Sequence, residues 1–208
     1  MSMDIEVIRK KQYKTSEWSG GRTTELYIYP KDSLYCSRNF KWRLSSAKVE
    51  VERSTFTSLP GINRLIMVIK GELFLEHEGN HNTFLKEFQQ DSFSGDWTTT
   101  SRGRVTDFNL MMAQGCNGKL EAISLNRGES KDILLLNNLQ AEEFSKSTEA
   151  FYIVKGNVEI DTGAKEKINL SDGDLTLVNK INKEDKSVIK LYNSSGEEAK
   201  IIRTSIFY

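Results

Sequence analysis

The sequence predicts an all-β chain made of two related halves, each a barrel or sandwich, and three observations carry that expectation. The first is a repeat. Ile69-Lys70-Gly71-Glu72-Leu73-Phe74-Leu75 returns as Val154-Lys155-Gly156-Asn157-Val158-Glu159-Ile160, and each copy is followed by a Gly-Asp pair, Gly95-Asp96 and Gly173-Asp174. A strand–Gly–strand unit that occurs twice implies a duplicated β unit. The second is the number of short alternating apolar segments separated by turn residues. The third is that no stretch sustains the 3.6-residue period of an amphipathic helix.

Bulk composition narrows the class. The 208 residues suffice for one large or two small cores, and 38% hydrophobic with 10% aromatic residues suits a folded chain. Two prolines and no low-complexity run leave no linker, so the halves are expected to pack together. Lys+Arg and Asp+Glu both number 29, which gives no electrostatic reason to expect nucleic acid or a membrane surface as partner. Cys36 and Cys116 lack the spacing of a redox pair or zinc cluster. The acidic start has no apolar core of a signal peptide, and the run at 65–69 is too short to span a bilayer. A cytoplasmic protein with reduced thiols is expected.

Taken in order, residues 4–8 alternate as a strand, and Gly20-Gly21 turns the chain into a strand at 26–29 that Pro30 ends. Residues 40–51 form a long strand candidate, with Phe40, Trp42, Leu44 and Ser46 on one face and Lys41, Arg43, Ser45, Ala47 and Val49 on the other. Pro60-Gly61 is a turn, and Arg64 opens the run 65–69. Gly71 separates that run from a strand at 72–76, and residues 77–82 read as a polar turn of a hairpin. Residues 83–90 fit a short helix or a strand. Residues 105–111 alternate again. The first half is expected to span 1–125 and the second 126–208, with strands at 133–136, 151–154, 158–160 and 175–178. A closing hairpin is expected from 188–192 and 199–207.

The half-pattern Val-Lys-Gly-x-Val-x-Ile, then Leu170-x-x-Gly173-Asp174, resembles half of a cupin, the small jelly-roll β-barrel, so two copies resemble a bicupin. Residues 5–125 also resemble the HutD/Ves family within the RmlC-like cupins. The matching pieces are Trp18 with Gly20-Gly21-Arg22-Thr23-Thr24-Glu25, then Phe40-x-Trp42-Arg43-x-Ser45-x-Ala47, and Phe56-x-x-Leu59-Pro60-Gly61-x-x-Arg64. Phe93-Ser94-Gly95-Asp96 and Asp107-Phe108-Asn109-Leu110-Met111 complete the series. Residues 126–208 match only as a degenerate cupin half. The Trp18-to-Gly20 step is shorter than the family's usual Trp-Lys-Asn-Gly-Gly-Gly form. The resemblance implies a small-molecule-binding protein of histidine breakdown that senses an intermediate such as formylglutamate or urocanate. It brings no established reaction.

Metal-binding cupins need several convergent histidines and a carboxylate. This chain has only His77 and His81, both in the expected polar turn, so no metal, cofactor or catalytic residue is assigned. Near the repeated glycines stand Glu72, Phe74 and Glu76 in one copy and Asn157, Glu159 and Asp161 in the other, which makes the repeat scaffold. The candidate ligand-binding residues are polar positions on apolar strands of the first half: Arg43, Ser45, Arg64, Asp107 and Asn109, with Thr23 of the Gly-Gly turn and Glu25 beyond it. Charged groups facing a barrel interior need partners or a ligand, and an Arg fork suits a small carboxylate metabolite. The bland alternatives are that these faces look outward, or that Arg43 and Asp107 pair with each other. Trp42 and Phe108 read as core, Asp96 and Asp174 as turn formers. Three functions stay open: a metal-free binding protein, a metal-independent isomerase or hydrolase using Glu25, Asp107 or an Arg–Asp pair, and a structural protein that mediates only homodimer formation.

Overall fold

A computed structural model describes residues 3–135, 144–163, 167–180 and 188–208. Its strands are β1 (Met3–Ile8), β2 (Lys14–Trp18), β3 (Gly21–Tyr29), β4 (Trp42–Val49), β5 (Arg53–Thr55), β6 (Ile62–Lys70), β7 (Leu73–His77), β8 (Asn82–Leu85), β9 (Gln90–Ser94), β10 (Thr99–Arg102) and β11 (Thr106–Ala113). They continue as β12 (Asn117–Leu125), β13 (Ser130–Leu134), β14 (Ser147–Lys155), β15 (Val158–Asp161), β16 (Ile168–Leu170), β17 (Leu175–Lys180), β18 (Val188–Asn193) and β19 (Ala199–Phe207). The helices among the described residues are two single 3-10 turns, Lys10–Gln12 and Tyr35–Ser37. No helix among these residues is long and apolar enough to cross a membrane. The expected all-β bicupin class is what the chain adopts. The ambiguous segment 83–90 holds strand residues at both ends and no helix; Leu136 lies outside the described residues.

The chain divides into two compact units, residues 13–116 and residues 1–12 with 117–208. The division therefore falls nine residues before the expected 125, and the first strand does not belong with the first half. β1 pairs antiparallel with β17, Ile5 opposite Val178, because Ile5 and Val7 pack on the apolar cluster of the second half. β12 likewise pairs with β19 over its whole length.

In the unit 13–116 one sheet runs β2-β3-β4-β11-β6-β9 and the other β5-β10-β7-β8. Ile66, Val68, Leu73, Leu75, Leu85 and Phe93 form its main apolar cluster. In the other unit the sheets run β1-β17-β14-β19-β12 and β13-β18-β15-β16. The expected closing hairpin is thus a misreading. β18 and β19 are consecutive but sit in different sheets, because Val188 to Asn193 pairs with β13 and β15 instead.

The repeated glycines explain how one strand leaves its sheet and the next joins the other. Gly71 and Gly156 both have φ +94°, a region that L side chains rarely adopt. A Cβ on Gly71 would stand 2.8 Å from the Arg104 carbonyl oxygen, and one on Gly156 would stand 3.0 Å from the Ala199 Cβ. Gly71→Ala and Gly156→Ala should each lose about 1–3 kcal/mol in chemical denaturation. A loss below about 0.5 kcal/mol at both would show that the corner tolerates a side chain.

The expectation of two solvated turn histidines holds for His81 and fails for His77. β7 continues its inward alternation through Leu73, Leu75 and His77, and His77 is only 1% exposed. Its Nδ1 lies 2.8 Å from Thr99 Oγ1 and its Nε2 lies 3.0 Å from Asp91 Oδ2. Burial pushes its imidazole below the usual range, against the pull of Asp91.

Candidate functional site

Neighbouring strands of the six-stranded sheet bring the polar positions into register. Arg43 on β4 lies opposite Met111 on β11, and Met111 lies opposite Arg64 on β6. One step along, Glu25 on β3 faces Ser45, which faces Asn109. A further step aligns Thr23, Ala47 and Asp107. Side chains two residues apart share a face, so the chemistry of three strands converges there.

That face lines a cavity of about 250 Å³. Thr23, Arg43, Ser45, Arg64, Asp107 and Asn109 all line it. Five of them are at most 5% exposed, which removes the outward-facing alternative. Glu25 does not line the cavity. Its carboxylate, 30% exposed, accepts from Arg43 Nε at 2.8 Å. The alternative pairing of Arg43 with Asp107 is therefore not what forms. Arg43 also donates to Ser45 Oγ at 3.1 Å and lies over the Tyr35 ring, 4.4 Å from its centroid.

Arg64 is held differently. Its Nε and Nη2 both donate to the Asn109 amide oxygen, at 3.3 and 3.0 Å, and the Asn109 amide donates to Asp107 Oδ1 at 2.9 Å. The guanidinium lies over the Phe56 and Phe93 rings, 4.6 and 5.1 Å from their centroids. Burial pulls the Arg64 pKa down to about 10, so it remains charged at neutral pH. Burial pushes the Asp107 carboxyl up to about 6, against the pull of Asn109 and Arg64. The site thus holds a buried cation whose hydrogen bonds go to a neutral amide, beside a carboxyl that titrates near neutrality.

The second unit shows the same positions satisfied from within. The residue six before Lys70 is Arg64, and the residue six before Lys155 is Glu149. Ile66 and Phe151, each four before its lysine, face Asn109 and Arg203 across their ladders. Where the first unit sets Arg64 against Asn109, the second sets Glu149 against Arg203. Arg203 grips Glu149 with two bonds, 2.9 and 3.1 Å, and also reaches the Leu134 carbonyl oxygen. Glu149 further accepts from Ser205 Oγ at 2.8 Å. An internal carboxylate occupies the Arg fork there.

The residues missed by sequence reasoning are those from irregular segments. Tyr35 comes from a 3-10 turn, Ser54 and Thr55 from the three-residue β5, and Thr57 from the segment after it. No periodicity marks such positions. Phe56 and Trp18 stand in the recognised motif pieces, so their spacing from Arg64 and Gly20 was the available signal. Trp42 and Phe108 are core, at 1% and 0% exposure, with Trp42 stacked on Tyr27 and Tyr29. Asp96 accepts from Ser94 Oγ in a turn, and Asp174 accepts from the backbone N–H groups of Lys10 and Ser171.

Comparison with known proteins gives the family and the fold. The chain is similar along 98% of its length to 98% of a conserved protein of unknown function from Pseudomonas aeruginosa, at 21% identity and a TM-score of 0.76. It is similar over 97% of its length to 98% of HutD from Pseudomonas fluorescens, at 23% identity and a TM-score of 0.66. Over 97% of its length it also matches 85% of an oxalate decarboxylase from Lactobacillus farciminis, at 8% identity and a TM-score of 0.67, a likeness of fold alone. The sequence model of the HutD family matches residues 10–191, well over half of the chain. This cupin-fold chain therefore belongs to the HutD family.

Proposed function

We propose that the cavity of the unit 13–116 binds a small carboxylate in a sensing or regulatory role. The observation that carries this reading is Arg64, a buried guanidinium beside a cavity, whose hydrogen bonds among the described residues go to the Asn109 amide where the equivalent site of the other unit supplies a carboxylate. The carboxylate of a ligand would complete at Arg64 what Glu149 completes at Arg203. A volume near 250 Å³ is below the range of about 300–1,000 Å³ typical for drug-sized ligands, which restricts the occupant to a small molecule. Within a histidine-utilisation family, formylglutamate and urocanate are the candidates of that size and charge. The polar lining argues against a purely structural barrel, whose interior would be filled with apolar side chains.

The test is calorimetric titration of the full chain with urocanate, formylglutamate and formate, followed by Arg64→Met. Methionine keeps an apolar contact with Phe56 and Phe93 and removes the charge, and at pH 5, where Asp107 with a pKa of about 6 is mostly protonated, little buried charge is left unpaired, so the variant should stay folded in urea denaturation there. Affinity should fall at least about a hundredfold, as expected when a charged hydrogen-bonding partner is lost. Unchanged affinity in the folded variant, or no binding of any small carboxylate to the wild type, would overturn the reading.

One observation favours a second reading. A carboxyl with a pKa of about 6 inside a cavity is suited to general acid–base chemistry, so Asp107 could serve a metal-independent isomerase or hydrolase. Following urocanate and formylglutamate by NMR in the presence of the protein separates the two. Binding without conversion leaves the sensing role standing.

A further inference from the structure

Away from the cavity face, at the far end of the β7–β8 hairpin, His77, His81 and Asp91 bring their ligand-type atoms within 4.8 Å of one another. His77 Nε2 lies 3.0 Å from Asp91 Oδ2, and His81 Nε2 lies 3.1 Å from both Asp91 oxygens. The two imidazole rings are 4.6 Å apart. From this geometry we infer a binding site for one divalent transition-metal ion, zinc(II) being the best fit, held by His77 Nε2, His81 Nε2 and Asp91.

Four features support it. The first is distance. Zinc bonds to nitrogen at about 2.0–2.1 Å and to carboxylate oxygen at about 2.0–2.2 Å, so tetrahedral ligand atoms stand roughly 3.3–3.5 Å apart. The nitrogen–oxygen separations of 3.0 and 3.1 Å need to open by only a few tenths of an ångström, and the two imidazole nitrogens, which lie within 4.8 Å of each other, need to close toward that spacing. His81 can supply the movement because its side chain is 42% exposed. The second is orientation. His77 Nδ1 meets Thr99 Oγ1 at 2.8 Å, the outer hydrogen bond that fixes a metal-binding imidazole with its other nitrogen toward the ion. Thr99 is itself 1% exposed, so this partner is rigid. The third is openness. The three protein ligands leave a fourth position, and the half-exposed His81 side gives water access to it. The fourth is placement. His77 belongs to the sheet β5-β10-β7-β8 and Asp91 to the sheet containing β9, so an ion would clamp the two sheets at one edge. Phe93 packs tilted against His77 at 4.6 Å and lies under the Arg64 guanidinium at 5.1 Å, which ties that edge to the wall of the cavity.

Trp97 makes the site observable. Its ring lies edge-on to both histidines, at 5.6 and 5.8 Å between centroids. The experiment uses the full, untagged chain freed of metal with a chelator, then titrated with zinc(II) while Trp fluorescence is followed, and with cobalt(II) while visible absorption is followed. One ion per chain should change the fluorescence, give the visible bands of four-coordinate cobalt and raise the melting temperature. His81→Ala, which alters an exposed side chain and should fold, is expected to lower zinc affinity at least about a hundredfold, since one of three ligands is lost. Thr99→Val keeps the shape and is expected to lower it about ten- to a hundredfold through His77 alone. Sub-stoichiometric binding to the wild type would overturn the inference, leaving two imidazoles that share one carboxylate through hydrogen bonds. Equal affinity in His81→Ala would do the same, since the ion would then sit elsewhere, at Cys36 or Cys116 for example.

Discussion

Glu149→Ala is expected to destabilise the fold by about 3–5 kcal/mol, the cost of leaving a buried guanidinium without its counter-charge. Arg203 is 8% exposed and Glu149 is 3% exposed. Burial alone would pull the Arg203 pKa down, but the bonds to Glu149 and Glu121 hold it above its usual range. Removing Glu149 deletes both bonds of the bidentate grip and the acceptor of Ser205 Oγ. Glu121, 45% exposed and 3.3 Å away, is too well solvated to replace it. Urea denaturation of the single variant and of the Glu149→Leu, Arg203→Met pair makes the measurement specific. The double variant removes both charges and should recover most of the loss, because well-packed apolar residues often match a buried ion pair. A loss below about 1 kcal/mol in Glu149→Ala would mean that water or Glu121 compensates the arginine, and the idea of a self-filled second unit would fall.

The same logic sets the two units apart. At equivalent positions one unit holds its arginine with an internal carboxylate and the other with an amide. The first arrangement is complete as folded; the second has capacity left for an anion. Arg64→Met and Glu149→Ala should thus have opposite signatures. The first should change binding with little change in stability at pH 5, and the second should do the reverse.

How far this was legible in the sequence depends on the kind of residue. The repeat around Lys70-Gly71 and Lys155-Gly156 was legible because a corner between sheets demands glycine wherever φ is +94°. Arg43, Ser45, Asp107 and Asn109 were legible because period-two alternation groups them once the strand is recognised. Pairing partners were not. That β1 joins β17 and that β18 and β19 part company are decisions between chain segments far apart, and alternation says nothing about which edge a strand will find. His77 was misread for a local reason. Glu76-His77-Glu78-Gly79-Asn80 is polar enough to pass for a turn, yet His77 continues the inward series of Leu73 and Leu75. The equivalence of Arg64 with Glu149 was present in the spacing from the repeated lysines, but charge reversal at matched positions has no meaning until the partners Asn109 and Arg203 are in place.

Asp107 should make both stability and carboxylate binding depend on pH between about 4 and 7. In the unfolded chain its carboxyl ionises near 3.8, whereas in the fold burial raises that value to about 6. Between those values the folded state keeps a proton that the unfolded state has released. Stability from this group is therefore fully present below the lower value and is lost as pH rises through the upper one. The separation corresponds to about 3 kcal/mol. Asp107→Asn cannot ionise but can still accept from the Asn109 amide, so relative to wild type it should gain stability steadily from about pH 4 to pH 7, approaching that amount. The same proton should govern binding of the proposed carboxylate. The charged or titratable groups around Asp107 are Arg64 on β6, Arg43 on β4 with its partner Glu25 on β3, and Tyr35. Arg64, with a pKa of about 10, stays charged throughout. Below about pH 6 its charge is unopposed by Asp107, while above it an ionised Asp107 repels an incoming carboxylate. Two unit charges about 5 Å apart repel by about 3 kcal/mol at an effective dielectric of 20, part of which Arg64 offsets. Wild-type affinity for a small carboxylate should fall at least about tenfold between pH 5 and pH 7.5, and affinity of the Asp107→Asn variant should stay level. A wild-type affinity that is flat over this range, or a slope that survives in the variant, would mean that Asp107 does not set the charge of the site.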